Sequence, residues 1–282
     1  MDRQKKLSTL RDKLIMVLTP DFSQPLARLL GTDGDDNEII TVQQANDFPG
    51  GVLALSGDDN INGSSVNDLI FGGRGEDDLL GNDGNDSLFG NKDTDFLDGG
   101  SGDDILFGGK GTDLLVGGSG NDTLIGDAGV GIYQGGLGSD VYVLRTDLAG
   151  VTQDLSAISS ILPVIPSSIE LPNAIITDFN SAEDIIGLTG GVTKADLIFE
   201  DFNSLTEFGI NTNLILPFLD DELALLAKAG ISVQDLDPNS DGILEATAIR
   251  IGSTNQLLGY VLNTNSAEIA ALPESQFISV DF

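Results

Sequence analysis

Apolar and polar positions recur along the middle of this chain with a period of nine. From Ala54 to Val143 the sequence divides into ten consecutive nine-residue units without an insertion. With unit positions numbered one to nine, position eight is Ile61, Ile70, Leu79, Leu88, Leu97, Leu106, Leu115, Leu124, Tyr133 and Tyr142. Position six is Asp59, Asp68, Asp77, Asp86, Asp95, Asp104, Asp113 and Asp122, then Gly131, then Asp140. The six residues ahead of the apolar triplet are rich in Gly and Asp. They predict loop, because Gly carries the largest backbone entropy cost and Asp favours turns. The triplet centred on position eight predicts a short strand with one side chain inward. Loop plus strand, repeated, predicts a solenoid whose coils stack.

Two units make one turn, so loops two units apart share a side. The position-six carboxylates then form two columns. One holds Asp59, Asp77, Asp95 and Asp113. The other holds Asp68, Asp86, Asp104, Asp122 and Asp140. Stacked strands lie about 5 Å apart, and two carboxylates at that spacing repel by roughly 3 kcal/mol at an effective dielectric of about 20. One inward apolar side chain per unit is a thin core to set against this. The pattern therefore calls for a cation between the loops. Oxygen-only ligands favour a hard ion, and roomy Gly-rich loops favour Ca²⁺ over Mg²⁺.

Gly99-Gly100-Ser101-Gly102-Asp103-Asp104-Ile105-Leu106-Phe107 and Gly117-Gly118-Ser119-Gly120-Asn121-Asp122-Thr123-Leu124-Ile125 match G-G-x-G-x-D-x-U-x at every defined position. The ten units resemble the RTX nonapeptide repeat of hemolysin-type calcium-binding proteins. The resemblance implies an all-β fold, a right-handed parallel β-roll, with several Ca²⁺ ions held between same-side loops by position-six Asp side chains and loop carbonyls. Consecutive members of each column give the main expected sites. The place between Asp113 and Gly131 is expected to be weak or empty. Residues 175–188 resemble the I-x-D-F…D-x-I-x-L segment that commonly follows the last RTX repeat and closes the roll.

Outside the ten units, Gly31 to Asp36 forms an out-of-phase repeat loop, and 41–51 is expected to be an enlarged loop that absorbs the slip. Counting strands places Asp36 on the side of Asp59. The expected organisation is a lead-in or cap over 1–30, the roll over 31–144, an inserted loop over 145–174, and a β-rich C-terminal capping and secretion region over 175–282. Met1 to Phe22 is expected to be a short amphipathic helix. Strands are expected at 196–202, 206–217, 246–251 and 257–263, with a helix at 220–229. Asp237, Asn239 and Asp241 open a second kind of Ca²⁺ loop, with ligands at alternate positions and Gly242 for the turn. Ala248 stands where the closing acid is due, so a plain turn is an equal reading.

Charge narrows the partners. Lys plus Arg number 13 and Asp plus Glu 45, a net charge of −32. Nucleic acid and anionic membrane surfaces are poor partners for such a chain. No stretch approaches the ~20 apolar residues of a membrane span. The chain has no Cys and no His, so thiolate metal sites and a Ser-His-Asp triad are excluded. Gly109-Lys110-Gly111-Thr112 lacks the Ser or Thr directly after Lys that a phosphate loop needs. No catalytic residue is assigned.

The resemblance implies a secreted Ca²⁺-binding protein with a structural, surface or adhesion role, extracellular or held at the cell surface. Its export partner would be a type I exporter, guided by an uncleaved C-terminal signal that ends in Phe277-Ile278-Ser279-Val280-Asp281-Phe282. The alternatives are an accessory module that binds a surface polysaccharide and, less favoured, a secreted enzyme. Against the enzyme, only about 30 residues precede Gly31, and no Gly-x-Ser-x-Gly elbow occurs.

Overall fold

In the computed structural model of the protein the described residues are 14–15, 28–146, 174–203, 227–228, 230–232 and 245–280. Two stacks of parallel strands build a β-roll. The first stack runs through Arg28–Leu30, Val52–Ser56, Leu69–Arg74, Ser87–Lys92, the start of Ile105–Ser119, Thr123–Ile125, Val141–Leu144, Ile185–Leu188 and Phe277–Ser279. The second runs through Asn37–Ile39, Asn60–Asn62, Asp78–Asp83, Phe96–Ser101, the end of Ile105–Ser119, Ala128–Leu137, Ala174–Ile176 and Leu257–Leu262. Glu245–Ile251 and Leu197–Asn203 extend the second stack with antiparallel pairing.

Register follows the nonapeptide pattern. Leu79 pairs with Leu97 and Leu97 with Leu115, just as Ile70 pairs with Leu88 and Leu88 with Leu106. The position-eight side chains from Ile61 to Tyr142 are buried to 1% exposure or less and form one continuous core. Position nine adds an outer aromatic row in which Phe71, Phe89 and Phe107 stack at 4.7 and 5.2 Å between ring centres. A smaller cluster of Phe96, Leu114 and Ile132 is covered by Ile231. Lys228 anchors the same C-terminal segment by pairing with Asp78 and lying over the Phe96 ring.

The strands reach further than the expected triplet. In Leu69–Arg74 and Ser87–Lys92 the ladder continues into positions one to three. Position two turns the chain through a positive φ, as at Gly73 (+128°), Gly100 (+98°) and Asn82 (+76°). Because stacked units bend alike, the bend does not break the pairing. Glycine also answers a steric need at this level. A methyl group on Gly102 would lie 1.7 Å from the Gly84 carbonyl oxygen, one turn below.

The stacks continue beyond residue 144 into the segments that follow the repeats. The enlarged loop ahead of the roll contains a six-residue helix, Val42–Asp47, whose Thr41 side chain accepts from the Gln44 N–H. Leu14–Ile15, expected within a helix, instead form a two-residue strand antiparallel to Arg28–Leu29, where they satisfy part of an open sheet edge. The expected strand at 206–217, most of the helix at 220–229 and nearly all of the 145–174 insertion lie outside the described residues.

Leu97 sits mid-stack and is fully buried, whereas Leu137 is 75% exposed. Leu97→Ala is expected to cost about 2–5 kcal/mol of unfolding free energy and Leu137→Ala within about 0.5 kcal/mol, read from denaturant melts in calcium.

Candidate functional site

Each position-six Asp precedes a strand and turns back into its own loop, and its carboxylate binds the loop one turn below. In the first column the backbone N–H groups of Asp36, Asp59, Asp77 and Asp95 donate to Oδ1 of Asp59, Asp77, Asp95 and Asp113 at 2.8, 2.9, 3.0 and 3.1 Å. In the second, the N–H groups of Asp68, Asp86, Asp104 and Asp122 donate to Oδ1 of Asp86, Asp104, Asp122 and Asp140 at 2.7, 2.7, 2.8 and 2.9 Å. The links span 18 residues within the ten units and 23 from Asp36 to Asp59. Asp36 thus heads the column of Asp59. All nine position-six Asp residues from Asp59 to Asp140 are buried.

The other oxygen has no such partner in seven of them, whereas Asp68 Oδ2 accepts from the Ser64 N–H at 2.6 Å and the Ser64 hydroxyl at 2.9 Å. Oδ2 of Asp59, Asp77, Asp86, Asp95, Asp104, Asp122 and Asp140 is buried without a hydrogen bond. This oxygen faces the position-one Gly of its own unit. A methyl group on Gly81 would lie 2.2 Å from Asp86 Oδ2 and 2.4 Å from the Gly99 carbonyl oxygen of the next turn. On Gly90 the same probe meets Asp95 Oδ2 at 2.3 Å and the Gly108 carbonyl at 2.7 Å, and on Gly117 it meets Asp122 Oδ2 at 2.4 Å and the Gly135 carbonyl at 2.6 Å. In these units position one is Gly because a side chain would strike the carboxylate; only unit one carries a side chain there, the methyl of Ala54. Two acceptors facing each other with no donor between them need either a proton or a cation. An all-oxygen donor set of carboxylates and carbonyls fits a hard divalent ion. Among the described residues no three acidic side chains converge on one point, so backbone carbonyls would complete any such site.

The protonation of these groups reflects the same geometry. Burial pushes the carboxyls up from an ordinary value of 3.8: Asp77, Asp86, Asp113 and Asp122 to about 7, Asp95 to about 9 and Asp140 to about 6. The N–H bond from the Asp one turn below lowers each, and nearby carboxylates raise it again. Asp59 and Asp104 are raised by burial as well.

A family model described as RTX calcium-binding nonapeptide repeat (4 copies) matches residues 53–88, 80–115 and 107–142. Residues 53–142 are RTX calcium-binding repeats. No curated protein matches the chain.

The RTX columns end differently from one another. The second gains a member that was not assigned from the sequence. Asp140 N–H donates to Asp184 Oδ1 at 3.1 Å, across 44 residues. The signal was present, since Asp184-Ile185-Ile186 repeats the Asp-x-apolar spacing of positions six to eight. Asp178 joins it there, its Oδ1 and Oδ2 accepting from the N–H groups of Gly135 and Gly136 at 3.0 and 2.9 Å, and Tyr142 Oη donates to Asp178 Oδ1 at 3.0 Å. The first column stops at Asp113, whose counterpart in the next turn is Gly131. Asp237, Asn239 and Asp241 lie outside the described residues.

The raised carboxyls set the pH dependence of the metal-free RTX roll. A carboxyl whose folded pKa exceeds its unfolded value of 3.8 keeps its proton in the fold, so the unfolded chain binds fewer protons as pH rises. Stability is thus greatest below about pH 4 for these groups and falls through pH 6 to 9. In chelator the roll should melt at a higher temperature at pH 5 than at pH 8, and a melting temperature that rises over that interval would contradict the geometry.

Proposed function

We propose that this chain is a secreted RTX protein with a structural, surface or adhesion role and no catalytic one, whose roll folds as it takes up several Ca²⁺ ions. The observation that carries this reading is the buried, unpartnered Oδ2 of the position-six Asp, set against a loop carbonyl. Pairs of consecutive Asp in each column would hold the ions: Asp59 with Asp77, Asp77 with Asp95 and Asp95 with Asp113, and Asp68 with Asp86, Asp86 with Asp104, Asp104 with Asp122 and Asp122 with Asp140. The Asp140 to Asp184 step extends the second series. Bound Ca²⁺ supplies the positive charge that these columns lack. The chain's residues do the rest: Oδ1 fixes each loop to its neighbour, position-one Gly makes room, and the apolar column excludes water.

Export fits the same energetics. A chain of net charge −32 is self-repelling at low calcium and can stay unfolded. Outside the cell, binding to the folded state alone would stabilise it by mass action. The terminal strand Phe277–Ser279 is the last rung on Ile185–Leu188, so a C-terminal signal would be read before this rung forms.

Calcium titration followed by far-UV circular dichroism tests the reading. Ordering is expected at about 0.1–1 mM Ca²⁺, the range of extracellular modules, and an unchanged spectrum in excess chelator at pH 8 would sink it. Deleting residues 263–282 should leave the protein inside the cell while the remaining roll still binds calcium. Normal secretion of that truncation would move the signal elsewhere, with Met1 to Leu18 the next candidate.

A further inference from the structure

Unit nine breaks the repeat twice, with Gly131 at position six and Tyr133 at position eight. The structure joins these departures. The Tyr133 ring, 1% exposed, folds back over Gly131, where an added methyl group would lie 2.3 Å from ring carbon Cε1. Its hydroxyl reaches the position-one Gly of the same unit and accepts from the Gly126 N–H at 2.5 Å. A methyl group on Gly126 would lie 2.2 Å from this hydroxyl. In the units with Asp77, Asp86, Asp95 and Asp104 the same probe lies 2.2 to 2.3 Å from the carboxylate Oδ2. The phenol therefore stands where the carboxylate stands elsewhere; in unit ten Tyr142 Oη and Asp140 Oδ2 share the corresponding place, 2.4 and 2.3 Å from the probe on Gly135, so in unit nine it is the loss of the carboxylate at Gly131 that leaves the phenol there alone.

The exchange alters the chemistry of the place. A phenol is neutral across the physiological range, and burial pushes its titration further up. It can donate as well as accept, so it creates no acceptor-to-acceptor contact that needs a cation. The loops change with it. Elsewhere the ladder breaks over positions four to six, as between the Lys110–Lys92 pair that ends one register and the Leu114–Phe96 pair that opens the next. Between Lys110–Val116 and Ala128–Gln134 it runs without a break. The space between these loops is closed by backbone pairing. The protein also places its own cation beside this unit, with Arg145 pairing at 3.2 Å with Asp127, the residue after Gly126.

We propose that Tyr133 and Gly131 form a built-in calcium stop, in which the phenol replaces the position-six carboxylate and seals the first column after Asp113. The inference rests on the calcium reading above and deepens it. It assigns unit nine a specific role, that of ending one column with a neutral rung so that the strands following the repeats can stack on it without a further ion.

Native mass spectrometry of the full chain refolded in calcium counts bound ions, with circular dichroism in the same buffer to check the fold. Gly131→Asp combined with Tyr133→Leu should bind one ion more than the unaltered chain. Tyr133→Phe should keep the ion count and lower the melting temperature in saturating calcium, because it strands the Gly126 N–H. A folded double variant with an unchanged count, an extra ion in Tyr133→Phe, or an unchanged melting temperature for Tyr133→Phe would overturn the proposal. If the double variant does not fold, Tyr133→Phe decides. A chain that folds at pH 8 with no ion at all would overturn the calcium reading itself, an outcome distinct from a failure of the stop alone.

Discussion

One contact governs this molecule: the hydrogen bond from a buried Asp N–H to the carboxylate of the Asp one turn on. It occurs nine times among the described residues, four in one column and five in the other. Using one carboxylate oxygen this way satisfies a backbone donor that a loop would otherwise expose. It also commits the second oxygen to a dry place against a carbonyl. The glycine at position one and the raised carboxyl pKa values follow from that commitment. So does the demand for positive charge, which protons meet at low pH and a divalent cation can meet near neutrality.

A solenoid built this way has to begin and end without orphaned edges. The structure handles these places with different chemistry. At the start, an offset of 23 residues replaces the usual 18, and the helix Val42–Asp47 takes up the difference. At the far end, one column passes to Asp184, with Asp178 binding the N–H groups of Gly135 and Gly136. The other passes through a tyrosine. The last strands of both stacks come from far along the chain, Leu257–Leu262 and Phe277–Ser279, so the C-terminal region is part of the roll's core.

The amino-acid sequence alone determined the repeat and everything that follows from a strict period. A fixed nine-residue phase with one acidic and one apolar column sets the strand order, the register and the two carboxylate columns, because every unit meets the same neighbour in the same way. Asp59 through Asp140 could be placed from spacing alone. What broke the period could be seen but not interpreted. Gly131 read as a missing carboxylate and Tyr133 as an ordinary member of the apolar column, since only the folded ring shows that one occupies the space left by the other. Asp184 carried the right local spacing, yet its place in the column depended on how an insertion of unknown path returned to the stack. The reach of the strands into the glycine positions was also hidden, because the entropy cost that disfavours Gly in an isolated strand is offset when identical bends stack. Local periodicity dictates contacts between equivalent residues. Contacts between inequivalent ones, across 44 residues or between a ring and a missing side chain, exist only once the chain has closed on itself.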